Sequence, residues 1–248
     1  MVTAPRRAVV TGGGRGIARA IAAALTRAGH EGVVLGITPE ALEETVACGD
    51  AAAWRQADVS DADSLRKGLD GLVVDVLVNN AGIAPSTPFG STPLSMFQRV
   101  MAVNFESVVT ASQIVLPGMA KRGFGRIVSV ASVAGLKGYP YVSAYCASKH
   151  AVVGLTRSLA QEVAKTGVTV NAVCPGYVDT EMVRKGVARV VGLTGRPADD
   201  VAAEFNKGNP LGRFIEAGEV AAAVVWLASD AGAGVNGQSI AIDGGETT

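Results

Sequence analysis

Short apolar segments alternate with amphipathic helical segments along most of this 248-residue chain, and this alternation is the feature that most limits how it can fold. Most of the apolar segments are continuous, which is typical of strands buried on both faces of a sheet. Strands are predicted at residues 7–11, 33–37, 52–56, 74–78, 126–130, 169–173 and 239–242. The pattern predicts an α/β fold with a doubly wound parallel sheet of about seven strands, flanked by helices. Ligands of such a sheet bind at the carboxyl ends of its strands.

Helices are predicted between the strands, wherever apolar residues recur at helical spacing. They cover residues 17–28, 39–48, 60–72, 93–121, 145–163, 180–191, 198–207 and 219–228. Gly29 is expected to end the first helix, and Pro117 is expected to kink or end the long fourth helix.

No repeat, linker or low-complexity tract divides the chain, so a single domain spanning residues 1–248 is expected. Residues 177–210 interrupt the rhythm, because they contain two short amphipathic helices and several glycines but no strand. Their position after the sixth strand predicts a helical lid over the ligand site. A passive surface insertion is the alternative.

The charge balance favours small-molecule chemistry. Lys plus Arg equals Asp plus Glu, at 22 each, and no basic block stands out, so the charge pattern of a nucleic-acid-binding protein is missing. Arg6 and Arg7 precede only a brief strand rather than the apolar core of a signal peptide, and no run of about 18 apolar residues occurs. We expect a cytoplasmic protein that binds neither nucleic acid nor membrane.

The sulfur and imidazole groups do not suggest a metal site. Cys48, Cys146 and Cys174 lack metal-ligand spacing and lie in apolar or helical surroundings, so they are expected to be buried, reduced thiols. His30 and His150 are too few and too isolated for a zinc site built on imidazoles. No metal ion is expected in the mechanism.

A glycine turn joins the first strand to the first helix, with the sequence Thr11-Gly12-x-x-x-Gly16-Ile17-Ala18. Glycines in such a turn let backbone N–H groups approach a pyrophosphate, whose charge is favoured at the start of the helix. The spacing differs from Gly-x-Gly-x-x-Gly, and the Gly-Lys-Ser/Thr of a P-loop is missing. The turn predicts a dinucleotide site, with a purely structural turn as the alternative. Its candidate binding residues are Gly12, Gly14, Arg15, Gly16 and Ile17.

The end of the second strand is where a dinucleotide-binding fold recognises the adenosine ribose. Gly36, Ile37 and Thr38 stand there, and none has a carboxylate that would bind a 2′-OH or repel a 2′-phosphate. Arg15 supplies positive charge, and Thr38 supplies a hydroxyl. We expect NADP as the cofactor, with NAD as the alternative, since Arg15 could instead be a solvated loop cation.

Polar residues also follow the later strands, where a ligand would bind. Asp58 comes just after the third strand, Asn79-Asn80-Ala81-Gly82 ends the fourth, and Ser132 follows the fifth. Asn104 lies inside the predicted helix 93–121, where asparagine is unfavourable unless it faces solvent or makes polar contacts inside the protein.

Tyr145 and Lys149 lie four residues apart on a predicted helix and are therefore neighbours on its surface. An ammonium favours a phenolate, so Lys149 is expected to lower the pKa of Tyr145 from its usual value near 10. A shift of about three units needs roughly 4 kcal/mol, more than one partly solvated ammonium supplies, and a cationic nicotinamide ring is a candidate for the remainder. The pair would then exchange protons near neutral pH. Taken alone, it could also be a solvated lysine beside a half-buried tyrosine.

Together these motifs resemble the short-chain dehydrogenase/reductase family, in the right order and over nearly the whole chain. The resemblance implies a Rossmann-type fold and four catalytic residues. Tyr145 would be the acid or base at the substrate oxygen, and Ser132 would hydrogen-bond that oxygen. Lys149 would tune Tyr145 and hold the nicotinamide ribose, and Asn104 would anchor a water for proton relay.

The resemblance also implies which residues contact the dinucleotide. Beyond the glycine turn and the ribose position, these are Asp58, Val59, Asn80, Ala81, Gly82, Tyr145, Lys149, Pro175, Gly176, Val178 and Thr180. Two positions depart from the family pattern. Ala18 replaces a usual third glycine, and the end of the second strand has neither the acidic residue of NAD members nor the arginine common among NADP members.

The stretch from Tyr145 through Met182 looks most like reductases of 3-oxoacyl thioesters and polyketides. The resemblance therefore implies an NAD(P)H-dependent oxidoreductase that interconverts a ketone and a secondary alcohol, most similar to a 3-oxoacyl-thioester ketoreductase, and a homotetramer. The alternative is an NAD-dependent dehydrogenase of aryl or hydroxyacyl secondary alcohols. A catalytically idle NADP-binding regulator would be expected to have lost Ser132, Tyr145 or Lys149.

Overall fold

A parallel sheet of seven strands forms the centre of the computed structural model, which describes residues 5–248. Its strand order is β3-β2-β1-β4-β5-β6-β7. The strands are β1 Arg7–Thr11, β2 Glu31–Gly36, β3 Ala53–Gln56, β4 Val76–Asn79, β5 Gly125–Val130, β6 Val168–Pro175 and β7 Ser239–Ile242. The predicted fold class is confirmed, since the order reverses between β1 and β4 and helices flank the sheet.

The helices fall where the sequence predicts them, with ends that differ by a few residues. They are α1 Gly16–Arg27, α2 Pro39–Ala47, α3 Ala62–Leu69, α4 Leu94–Met101, α5 Ser107–Arg122, α6 Ser143–Val163, α7 Glu181–Thr194, α8 Ala198–Asn206 and α9 Ala217–Ala228. The third helix ends three residues early because Asp70 leaves the helical region and Gly71 has a φ of +68°.

The long fourth helix is interrupted, but not at Pro117. A π-helical turn at Ala102–Glu106 separates α4 from α5, and α5 continues past Pro117 to Arg122. By length and composition alone, Leu94–Arg122 is long and apolar enough to cross a membrane. Its Val115 and Met119 side chains are nevertheless buried against the sheet, as expected of a core helix.

Both faces of the sheet are apolar, which explains the continuous apolar strands of the sequence. On one face, Val10 and Val34 pack against α1, α2 and α9. On the other face, Val9 and Leu35 pack against α3, α5 and α6. Successive residues of β1 therefore point into opposite layers, as the two-residue period of a strand requires. Ala18, the departure from the family pattern, is fully buried in the first layer.

The three cysteines differ in exposure, so the prediction of three buried thiols is wrong for Cys48. Cys174 is buried on β6, Cys146 is half-buried on α6, and Cys48 is exposed at the end of α2. All three are free thiols. Cys48 follows the last turn of an amphipathic helix on its solvent side, which the apolar neighbours in sequence do not reveal.

Gly13→Ala is expected to destabilise the fold. A Cβ at Gly13 would lie 2.4 Å from two side-chain carbons of Val34, in the layer between β2 and α1. Overpacking of this kind costs about 1–3 kcal/mol. Gly154→Ala on α6 is the matched control, because its Cβ would meet open space and the change should stabilise the helix by up to about 1 kcal/mol. Urea unfolding measures both, and a Gly13→Ala protein as stable as wild type would contradict the close packing.

Candidate active site

The predicted polar residues gather at the carboxyl edge of the sheet. β1 ends at Thr11, β4 ends at Asn79, and β6 ends at Pro175, while Ser132 follows β5 by two residues. The strand register keeps these ends level, since it pairs Val10 with Val78, Val78 with Val128, and Val130 with Val173. The edge where this fold binds ligands therefore collects hydroxyl, amide and amine groups from separate parts of the chain.

Helix α6 places Tyr145 and Lys149 one turn apart at this edge. The Nζ of Lys149 donates to the carbonyl of Val130 at 2.7 Å and lies 5.6 Å from the centre of the Tyr145 ring. Gly135 allows the helix to come this close, because a Cβ there would lie 2.7 Å from the backbone oxygen of Lys149. The lysine is 4% exposed, so its ammonium is a buried charge held by the end of β5.

Ser132 completes the group. It precedes a short 3₁₀ turn at Val133–Gly135, and its Oγ accepts a hydrogen bond from the Ala134 backbone at 3.1 Å. This bond uses the oxygen as an acceptor and leaves the hydroxyl proton able to donate elsewhere. The Ser132 hydroxyl is close enough to Tyr145 for a hydrogen bond that lowers the pKa of the phenol. The serine and tyrosine hydroxyls can therefore meet at one substrate oxygen.

Burial reverses the expected pKa shift of Tyr145. Desolvation raises the pKa of the phenol above its usual value, and the hydrogen bond with Ser132 opposes this only in part. The expectation that Lys149 lowers this pKa is therefore wrong for the protein alone. Burial also lowers the pKa of Lys149 to about 8, so the ammonium is itself destabilised. An added positive charge beside Tyr145 is needed to bring its pKa toward neutrality.

Asn104 makes its polar contacts inside the protein. It lies in the π-helical turn, is 1% exposed, and its Oδ1 accepts from the Ile83 N–H at 2.8 Å. Its Nδ2 donates to the Ile83 carbonyl at 2.9 Å and to the Ser148 hydroxyl at 3.0 Å. The amide thus ties the segment after β4 to α6, beside Lys149. Both of its N–H donors are used, and its role as a water anchor stays a prediction.

The glycine turn fits a pyrophosphate. Gly12 has a φ of +73° and Gly16 a φ of +56°, both in the left-handed region that favours glycine. Helix α1 starts with no side-chain cap and no acidic residue in its first turn. Its first N–H groups are therefore free to bind an anion.

The turn is fixed against the segment after β4. The Thr11 hydroxyl accepts from the N–H groups of Asn80 and Ala81, at 3.0 and 3.2 Å. A Cβ at Gly12 would lie 3.1 Å from the Ala81 Cα, so the two segments are in direct contact. Gly14 instead faces α2, because its Cβ would lie 2.9 Å from that of Ala41.

The residues predicted at the adenosine end lie on the surface beside α2. Ile37 is 65% exposed, and Thr38 starts α2 without a side-chain capping bond, so its hydroxyl is available. Asp58 is exposed and its Oδ1 accepts from the Ser60 N–H and hydroxyl at 2.9 and 2.7 Å. Val59 is buried. These residues offer no second cation to a 2′-phosphate.

Arg15 is paired rather than free. Its guanidinium lies 3.5 Å from the carboxylate of Glu181, the first residue of α7. Lys185 and then Arg15 hold the pKa of Glu181 below its usual value. Both side chains of the Arg15 pair are more than half exposed, so the pair is weak and open to competition from an anion.

The segment after β6 reaches the glycine turn from the other side. Thr180 caps α7, and a Cβ at Gly16 would lie 3.6 Å from its methyl group. The residues on either side of Val178 pair with Ile215: the Tyr177 carbonyl accepts from the Ile215 N–H, and the Asp179 N–H donates to the Ile215 carbonyl. The amide of Val178 itself therefore points away from Ile215. Gly176 donates its N–H to Ile242 on β7. Of the predicted nicotinamide-side residues, Thr180 is the one in contact with the glycine turn, while Pro175 and Gly176 pair with β7.

Comparison with known proteins decides the family. A sequence profile described as short chain dehydrogenase matches residues 6–190. The chain belongs to the short-chain dehydrogenase family. It is therefore an oxidoreductase of alcohols and ketones that depends on NAD(P), and the predicted resemblance is confirmed.

Named relatives of this short-chain dehydrogenase cover nearly its whole length. It is 35% identical to D-beta-hydroxybutyrate dehydrogenase of Rhizobium meliloti (strain 1021), over 98% of each chain. It is 36% identical to acetoacetyl-CoA reductase of the same strain, over 97% of this chain and 98% of the relative. Among solved structures, a variant of actinorhodin polyketide ketoreductase with NADPH is 32% identical, with a TM-score of 0.94 over 100% of both chains.

Sequence reasoning missed one group beside the site of this short-chain dehydrogenase. Glu246, near the end of the chain, accepts a hydrogen bond from the Tyr139 hydroxyl and pairs with Lys137 at 3.2 Å. The carboxylate side chain is only 5% exposed. No local pattern marks Glu246, because its partners lie more than a hundred residues earlier in the chain.

Lys149→Met is expected to stabilise the protein at neutral pH. Burial depresses the pKa of Lys149 from 10.5 to about 8, so between these values the unfolded chain binds more protons and wild-type stability rises with pH. Below pH 8 only wild type carries the full cost of burying the ammonium, roughly 3 kcal/mol. The variant loses the bond to Val130, which reduces its net advantage. The variant should therefore unfold at a higher temperature at pH 7, with an advantage that shrinks from pH 8 to 10.5.

Thermal unfolding at several pH values measures this effect. The exposed Lys165→Met serves as the control and should show no pH-dependent difference from wild type. A Lys149→Met protein that is less stable than wild type by the same amount at every pH would show that the buried ammonium carries no net cost.

Proposed function

We propose that this chain is an NADP-dependent ketoreductase of the 3-oxoacyl-thioester type, which reduces a ketone to a secondary alcohol. One observation carries the proposal. The hydroxyls of Ser132 and Tyr145 converge at the carboxyl edge of the sheet, with the buried ammonium of Lys149 behind them. This arrangement can bind a carbonyl oxygen and deliver a proton to it.

Each catalytic residue has a defined task in the proposal. Tyr145 gives its proton to the carbonyl oxygen as charge develops there, and Ser132 donates a hydrogen bond to the same oxygen. Both contacts strengthen as the oxygen becomes an alkoxide, so they stabilise the transition state more than the bound ketone. The bound dinucleotide supplies the hydride. Lys149 orients Tyr145 and binds the nicotinamide ribose, while Asn104 holds the adjacent segment in place. Oxidation of the alcohol follows the same steps in reverse.

The cofactor site in the proposal uses three groups of residues. The glycine turn would bind the phosphates through Gly12, Gly14, Arg15, Gly16 and Ile17. The adenosine would lie against Ile37, Thr38, Asp58 and Val59. The remaining contacts would come from Asn80, Ala81, Gly82, Tyr145, Lys149, Pro175, Gly176, Val178 and Thr180. Free N–H groups at the start of α1 and the hydroxyl of Thr38 support this assignment.

The substrate class rests on similarity together with the lining of the site. Acetoacetyl-CoA reductase and actinorhodin polyketide ketoreductase, both similar over almost the full chain, act on ketones of this kind by name. Tyr177 lies close enough to Tyr145 to affect the pKa of its phenol, and Tyr139 packs on Tyr177, so this aromatic surface suits an acyl chain. The proposal includes a single domain over residues 1–248, a lid at 177–210, a homotetramer and a cytoplasmic location.

A second candidate is an NAD-dependent dehydrogenase of aryl or hydroxyacyl alcohols. The pairing of Arg15 with Glu181 favours it, because a paired guanidinium is less available to a 2′-phosphate. The similarity to D-beta-hydroxybutyrate dehydrogenase points the same way.

Tyr145→Phe is expected to lower kcat by at least about 100-fold, because the phenol proton is the general acid. NADPH affinity should stay close to wild type, since the ring remains in place. Steady-state kinetics and fluorescence titration measure the two quantities. Tyr141→Phe, which removes the hydroxyl of an exposed neighbouring tyrosine, is the control and should keep its turnover. A Tyr145→Phe enzyme with most of its activity would rule out the assignment.

Ile37→Asp is expected to erase or reverse a preference for NADPH, because it puts a negative charge where the 2′-phosphate would bind. Wild type should show the higher kcat/KM with NADPH than with NADH. Ile37→Asn, of similar size to the aspartate and uncharged, controls for the loss of the isoleucine side chain and should retain more of the preference. A wild-type enzyme that prefers NADH by about tenfold, a difference of 1.4 kcal/mol, would favour the NAD-dependent candidate instead.

A further inference from the structure

A buried carboxylate that the proposed chemistry does not use lies near the catalytic residues. Glu246 accepts a hydrogen bond at Oε1 from the Tyr139 hydroxyl, and the Lys137 Nζ lies 3.2 Å from the same oxygen. The Lys137 Nζ also donates to the backbone carbonyl of Glu246 at 3.1 Å. A buried charge persists only with good partners, so the two contacts at Oε1 hold the carboxylate, and the third holds the backbone beside it.

The C-terminal turn holds the backbone of Glu246 in place. Asp243, itself 5% exposed, accepts from the N–H of Gly245 at 3.0 Å and from the N–H and hydroxyl of Thr247 at 3.0 and 2.6 Å. Gly244 and Gly245 have φ values of +67° and +93°, which favour glycine. The turn is therefore built around Asp243 and carries Glu246 inward.

The carboxylate fits between the segment after β6 and the end of the predicted lid. A Cβ at Gly208 would lie 3.0 Å from Oε1 of Glu246, and a Cβ at Gly176 would lie 3.4 Å from Oε2. A Cβ at Gly244 would lie 2.0 Å from the Asn209 side chain. The absence of side chains at these glycines gives the C-terminal turn its close contact with both segments.

Through Tyr139, Glu246 holds an aromatic wall, defined as Tyr139, Tyr177 and Phe205. The Tyr139 and Tyr177 rings pack edge to face, with centres 6.5 Å apart and planes at 88°. Tyr177 packs in turn on Phe205 of α8, with centres 5.0 Å apart. Tyr177 is also near enough to Tyr145 to raise the pKa of its phenol. The wall thus links the loop before α6, the nicotinamide-side segment and the lid, next to the catalytic residue.

We infer that Glu246 is a positioning residue for substrate, which fixes the aromatic wall so that it binds the part of a bulky, ring-bearing ketone beyond its carbonyl. The inference rests on the proposed function and adds a substrate feature to it. Aromatic rings contribute large apolar contact area, and rings packed edge to face keep a defined geometry. A small ketone reaches Ser132 and Tyr145 without needing the wall, so only bulky substrates depend on Glu246.

The test compares a small ketone, butanone, with a bicyclic ketone, tetralone, in steady-state kinetics with NADPH. Glu246→Ala should raise KM for tetralone about tenfold or more, while KM for butanone and both kcat values stay within about twofold of wild type. Tyr139→Phe should also raise KM for tetralone more than KM for butanone, but by a smaller factor. The double variant with both substitutions should raise KM for tetralone no more than Glu246→Ala alone, because the two side chains act as one unit.

Two further variants separate positioning from general damage. Glu246→Gln can still accept the Tyr139 hydrogen bond and should restore most of the wild-type ratio of the two KM values. Glu44→Gln is the matched control, because Glu44 is also ion-paired, with Arg19, but it is exposed and lies on α2. Equal effects of Glu246→Ala on both ketones, or no effect on either, would overturn the inference. If Glu246→Ala does not fold, the KM values for the two ketones are compared in Tyr139→Phe and Glu246→Gln instead.

Hydrogen exchange gives a readout that does not depend on turnover. Peptides covering 136–142 and 205–210 should exchange faster in Glu246→Ala and Tyr139→Phe than in wild type or Glu44→Gln. If wild type binds NADPH but reduces neither ketone, the proposed function fails, and unchanged exchange would then reject the role of Glu246 as well. If wild type reduces both ketones and the variants show no KM split, only the role of Glu246 fails.

Discussion

The buried ammonium of Lys149 is the constraint on which the candidate active site of this protein depends. It is held by the last carbonyl of β5, at 2.7 Å from Val130, and lies beside the Tyr145 ring. Several features make this burial possible. Gly135 lets α6 approach the turn after β5, and Asn104 ties α6 to the segment after β4 through Ser148. The cost of burying the charge appears as the lowered pKa of Lys149.

The glycine turn and residues 177–210, the predicted lid, meet at a second set of contacts. The glycine turn is fixed to the β4 segment through the Thr11 hydroxyl, and it touches the start of α7 through Gly16 and Thr180. The pairing of Arg15 with Glu181 also spans this junction. A dinucleotide bound at the glycine turn would therefore lie close to the first turn of α7. The far end of the same segment contacts the C-terminal turn around Glu246, through Gly208 and Asn209.

Local patterns in the sequence predicted most of the fold and which side chains lie together at the candidate site. Strand ends fix where Ser132 lies, and helical spacing alone brings Tyr145 and Lys149 together. Contacts between distant segments could not be predicted in this way. The Tyr139 bond to Glu246 and the Asn104 bonds to Ile83 depend on how the layers pack. The predicted direction of the Tyr145 pKa shift was also wrong, because a spacing rule leaves out desolvation, which is the largest cause of the shift.

The pKa of Tyr145 tests the account most directly. Ultraviolet difference titration of wild type against Tyr145→Phe isolates the ionisation of this one phenol. The account predicts that in the free protein the phenol ionises above the usual pH range of a tyrosine, because desolvation raises its pKa, and that binding of NADP⁺ lowers this pKa. A phenol that ionises at the same pH with and without NADP⁺, or near neutral pH in the free protein, would contradict the claim that burial sets this pKa and that the cofactor's charge corrects it.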